Sequence, residues 1–100
     1  MKILALEKAV SGVDPHAFQP HLKQEARRVW ALYQAGVVRE MYFRADCHDA
    51  VLVLECSDLA EAKRALAELP LVANGLITFD FIPLVAYPGF ARLFKDEVSL

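Results

Sequence analysis

The chain has 100 residues, a formal net charge of −2 and a hydrophobic share of 56%. That length has room for one core and not two, and the apolar share exceeds the roughly 45–50% of average globular chains, so a surplus is expected at an interface between copies. Eleven scattered Lys and Arg argue against nucleic acid or an anionic membrane as the main partner, and MKILALEKAV has neither the parts of a signal peptide nor the roughly 18 apolar residues of a membrane span, which points to the cytoplasm with Cys47 and Cys56 as reduced thiols.

The first strand is expected over Lys2 to Lys8, where Ile3, Leu4, Ala5 and Leu6 form an apolar run too short for a helix. Ser11 to Pro15 is loop chemistry that ends in a helix start, with Asp14 as the capping residue and Pro15 at the first helical position. Pro20 removes a backbone donor, so a short turn is expected first and the main helix from about Gln19 or Pro20. Leu22, Ala26, Val29 and Tyr33 then follow one helical face, with Lys23, Gln24, Arg27, Arg28 and Gln34 opposite. Gly36 supplies the left-handed residue that stops the helix.

Val37 to Arg44 reads as a strand with Val38, Glu40, Tyr42 and Arg44 on one face and Val37, Arg39, Met41 and Phe43 on the other. Ala45 to Asp49 is the hairpin connection. The third strand, Ala50 to Cys56, is apolar on both faces through Val51, Leu52, Val53 and Leu54, which requires a cover on each side. Ser57 or Asp58 caps a second helix with an apolar stripe of Leu59, Ala62, Leu66 and Leu69, which Pro70 ends. Asn74-Gly75 turns the chain into a last strand, Leu76 to Pro83, where Ile77, Phe79 and Phe81 alternate with Thr78, Asp80 and Ile82.

This order predicts an α+β domain of ferredoxin-like β-α-β-β-α-β topology over residues 1–86, a four-stranded antiparallel sheet with two helices on one face. The helices leave the other face bare. A second copy is the expected cover, and the space between or beside the two sheets is the expected ligand site. Residues 87–100 carry Tyr87, Phe90 and Phe94, and are expected to form a tail that packs on a neighbouring subunit or over a pocket mouth.

Asp14-Pro15, Leu22-Lys23 followed by Glu25, Gly36, Arg39, Tyr42, Arg44 with His48, and Leu69-Pro70-Leu71 together make residues 14 to 88 resemble the muconolactone isomerase family of dimeric α/β barrels. The resemblance implies self-association, a small organic acid or lactone as ligand, and a double-bond shift by proton transfer. Such chemistry wants one proton carrier of suitable pKa, donors for the developing oxyanion and a cation for a substrate carboxylate.

Glu25 is the candidate base, because its helical position lies beside the apolar face of Leu22, Ala26 and Val29, where burial raises a carboxyl pKa. The alternative is a solvated residue or an ion pair with Arg28. Glu40, Tyr42 and Arg44 are candidate substrate-binding residues or else an exposed cross-strand network. His48 is a candidate rim residue. Asp80 is expected in the intersubunit space if Phe79 and Phe81 pack on the helices. His16 and His21 lack the spacing of a helical metal pair, and no glycine-rich phosphate loop is present, so neither metal nor cofactor is expected. Two further functions suit the same pattern: a non-catalytic ligand-binding or stress-related barrel, and a cofactor-free oxygenase of aromatic substrates.

Overall fold

The computed structural model describes residues 1–95. Strand β1, Lys2–Ala9, is followed by a 3₁₀ turn, Pro15–His21, and helix α1, Leu22–Gln34. Then come β2, Val38–Phe43, β3, Ala50–Glu55, α2, Leu59–Ala67, the short α3, Pro70–Ala73, and β4, Ile77–Leu84. The four strands form one antiparallel sheet in the order β2-β3-β1-β4. This is the expected ferredoxin-like architecture, with small differences at element ends. Residues up to His21 stay in the tighter turn because Pro20 cannot donate to an α-helical ladder. Pro70 stops α2 and also opens α3, where its fixed φ suits a first helical position.

Helix ends are closed by local chemistry. Asp14 accepts the His16 N–H at 2.9 Å and Asp58 accepts the Glu61 N–H at 2.8 Å, each relieving one orphan donor. At the far end of α1, Gly36 takes φ +80° while its N–H reaches Tyr33 O and the Val37 N–H reaches Leu32 O. Gly75 repeats this pair of bonds after α3, on Val72 O and Leu71 O, so both helices turn sharply back into sheet strands.

Side chains alternate across the sheet as the register dictates. Ile3, Ala5, Leu52 and Leu54 are fully buried under Val29, Ala62, Leu66 and Leu69 of the helical layer. Each large aliphatic side chain so buried contributes roughly 1.5–3 kcal/mol. Phe79 and Phe81 share this covered face through their pairing with Glu7 and Ala5. The opposite face presents Leu4, Leu6, Val51 and Val53, all partly accessible, with Ile82 and Leu84 exposed beside them.

The alternation expected along β2 fails at one point. Val38 pairs with Leu54 and Glu40 with Val53, so two residues of β2 advance against one of β3 and Arg39 occupies a bulge. Val38 therefore shares the covered face with Met41 and Phe43 and is buried, while Glu40 and Tyr42 face the bare side. Arg39 turns its guanidinium onto Gly36 O at 2.7 Å. Arg44 lies just past the strand end.

After β4 the chain leaves the sheet. Val85 is 91% exposed and Phe94 85%, and the radius of gyration is 17.6 Å against about 13 Å for a compact chain of this length. A second 3₁₀ turn, Gly89–Phe94, holds Phe90 edge-on to Tyr87 with centroids 5.0 Å apart. Of the tail expected over 87–100, residues 96–100 lie outside the described residues. Among the described residues no helix is long and apolar enough to cross a membrane.

Replacing Leu52 tests where the core sits. Leu52→Ala removes a side chain with no solvent exposure and is expected to cost about 2–5 kcal/mol in denaturant unfolding, whereas Ile82→Ala on the bare face of a single chain costs under about 1 kcal/mol.

Candidate functional site

The cavity of about 480 Å³ lies between α1 and the covered face of the sheet, on the helix side and not between sheets. Its floor includes Val38, Ala50 and Leu52, and its walls are aromatic, with Trp30 and Tyr33 of α1 facing Phe43 and Phe79 of the sheet. Trp30 and Tyr33 stack with ring centroids 5.6 Å apart. Among the described residues, the charged side chains that line this space are Glu7 and Glu25.

Glu25 stands one helical turn after Leu22 and one before Val29, which puts it on the buried side of α1. Its Oε1 accepts the Leu71 N–H at 2.9 Å. Leu71 is the second residue of α3, whose capping residue Leu69 has no acceptor to offer. Glu25 thus satisfies from another helix a donor that α3 cannot satisfy itself. Burial raises the Glu25 carboxyl pKa above its ordinary 4.5, the Leu71 N–H opposes that rise, the charge of Glu7 adds to it and His21 works against it.

Glu7 reaches the cavity from β1. Its Oε1 accepts the Ala50 N–H at 2.9 Å where β3 begins. Burial also raises its pKa, opposed by the Ala50 N–H, with Asp49 raising and His48 lowering it in smaller measure. The sequence expectations passed over Glu7. The signal was there: it continues the Ile3, Ala5 alternation onto the covered face, where a carboxylate costs free energy unless bonded.

Of the expected site residues, Glu25 lines this cavity and His48 lies beside it. His48 stacks on Phe43 at 4.1 Å between centroids, so its ring sits against a lining residue. Glu40, Tyr42, Arg44 and Asp80 are elsewhere. The Tyr42 hydroxyl donates to Glu40 Oε1 at 2.7 Å on the bare face, an interaction that raises the phenol pKa through the hydrogen bond and then through the charge. Arg44 is held by Asp46 in the hairpin, Nε to Oδ1 at 2.9 Å. Asp80 pairs with Lys8 at 3.1 Å on the bare face, opposite Phe79 and Phe81. Arg28 pairs with Glu68 of α2 and leaves Glu25 to the cavity. Both cysteines are free thiols, Cys47 exposed and Cys56 buried.

No family model matches the sequence, and no curated protein matches it. A solved structure of muconolactone isomerase does match in three dimensions, with a TM-score of 0.71 over 88% of this chain and 92% of that one at 18% sequence identity. At that identity the likeness establishes the fold alone: this chain has the ferredoxin-like α+β architecture of that structure.

The half-buried carboxyl on β1 carries a signed pH dependence. Glu7 binds its proton more tightly folded than unfolded, so its contribution to stability is fully present below about pH 4.5 and is lost as pH rises through the raised folded-state pKa. Glu7→Gln keeps an oxygen for the Ala50 N–H and cannot ionise. Thermal melts are expected to show its Tm relative to the parent rising between pH 4 and pH 8, and an unchanged difference would contradict the raised Glu7 pKa.

Proposed function

We propose that this protein is a muconolactone isomerase-like barrel which binds a small unsaturated lactone or related carbonyl compound in the helix-side cavity and shifts its double bond by proton transfer. The observation that carries this reading is Glu25, a carboxyl of raised pKa set among aromatic walls and fixed in direction by the Leu71 N–H. In its ionised form Glu25 takes a proton from a ring carbon conjugated to the lactone carbonyl. The electron pair moves into a dienolate with negative charge on the carbonyl oxygen, and return of the proton at another carbon completes the shift with no net change of atoms or electrons. Glu7 lines the same cavity and, in its protonated form, supplies a hydrogen bond to that oxyanion. The burial that lifts both groups brings them nearer neutral pH, where an acid–base carrier works best.

Ultraviolet absorbance follows the gain or loss of conjugation with a panel of unsaturated lactones, muconolactone among them. Turnover is expected in the parent and a loss of at least about 100-fold in Glu25→Gln, with Tm retained because the amide oxygen still accepts from Leu71. No turnover with any lactone removes the isomerase reading. A non-catalytic role then gains support from the capping bond itself, which gives Glu25 a structural task. Oxygen consumption with a phenolic substrate would instead mark a cofactor-free oxygenase, a reading that the aromatic walls favour.

The working unit in this proposal is a homodimer in the cytoplasm, its bare faces packed together and its tail laid on the neighbour. Support comes from Leu4, Leu6, Val51 and Val53 standing unpartnered on one face and from the exposed aromatics of the tail. Two free thiols suit a reducing compartment. Sedimentation is expected to give a dimer at micromolar concentration and a folded monomer for Val53→Lys. A well-folded parent monomer would exclude the assembly.

A further inference from the structure

We infer that the cavity selects an uncharged ligand and discriminates against carboxylates, so that the compound it takes is a neutral lactone or ketone and not an organic acid. The inference rests on the proton-transfer reading of the same cavity and narrows its substrate class. The sequence has eleven cationic side chains, all within residues 1–95. Arg28 is engaged by Glu68, Arg44 by Asp46 and Lys8 by Asp80, while Arg39 is turned onto Gly36 O. None of the eleven, these four or the remaining seven, lines the cavity.

What faces the ligand is two carboxyls and a wall of apolar and aromatic side chains. Each carboxyl already binds its proton more tightly than usual because ionisation in that setting is costly. Their hydrogen-bonding oxygens are committed to Ala50 N–H and Leu71 N–H, so those backbone donors are not free for an anion. A ligand carboxylate would enter without a cationic partner and beside like charge, and both disfavour it. An uncharged carbonyl meets neither penalty. Arg44, a candidate substrate-binding residue on the sequence, is held by Asp46 outside the cavity.

Muconolactone and its methyl ester share a ring and differ in charge, and Trp30, the single tryptophan, lines the cavity and reports binding by its fluorescence. At pH 8, where imidazole chemistry supplies no cation, the ester is expected to bind at least about tenfold more tightly than the free acid. Tyr33→Arg places a cation at a half-exposed position of the wall and is expected to reverse that order, with circular dichroism confirming the fold. Equal or tighter binding of the free acid by the parent overturns the charge selection while leaving lactone binding in place. No fluorescence response to either compound overturns both the selection and the lactone reading, and faster turnover of the free acid than of the ester, still requiring Glu25, overturns the selection alone.

Discussion

The hydrogen bond from Leu71 N–H to Glu25 joins the long helix to the short one that leads into β4. The requirement behind it is general: the first N–H groups of a helix need acceptors. Leu69 and Pro70 supply no side-chain acceptor, so α3 depends on a carboxylate that arrives from α1. The same bond holds that carboxylate beside an apolar space and fixes its direction. A structural need of the helix layer thereby leaves an ionisable group of raised pKa where a ligand can meet it.

Glu7 is set in place by the sheet in a similar way. Its side chain takes the N–H of Ala50 at the start of β3, and its position in the β1 alternation turns it toward the helices. Two carboxyls from different layers therefore face one cavity, each anchored by a backbone donor. The electrostatic character of the site follows from these two carboxyls and from the cations lying elsewhere, three of them paired with Glu68, Asp46 and Asp80 on outer surfaces. The walls add large aromatic surfaces with little hydrogen-bonding capacity, a setting that strengthens any charge or dipole placed within it.

The two faces of the sheet have separate tasks. One is closed by α1, α2 and α3 except where the cavity opens, and the other keeps Leu4, Leu6, Val51, Val53, Ile82 and Leu84 uncovered within a single chain. The bulge at Arg39 divides β2 between these tasks, because one extra residue reverses which face every later side chain meets. Met41 and Phe43 are sent to the cavity, and Glu40 and Tyr42 to the open face. A polar row that reads as a binding surface in strict alternation becomes a hydrogen-bonded pair on the other side of the sheet.

The sequence by itself determined the order of elements, the helix stops at Gly36 and Pro70 and the apolar stripe of each helix. These depend on local backbone preference and on periods of two and 3.6, which neighbouring residues carry with them. It also marked Glu25, because an acid beside Leu22 and Val29 on one helical face is a local pattern. Only the tertiary structure decided that Glu7 shares a cavity with Glu25 and that this cavity opens on the helix side of the sheet. Those outcomes depend on strand pairing across forty or more positions and on a single bulged residue in β2, and no periodicity records where a strand will admit one residue too many.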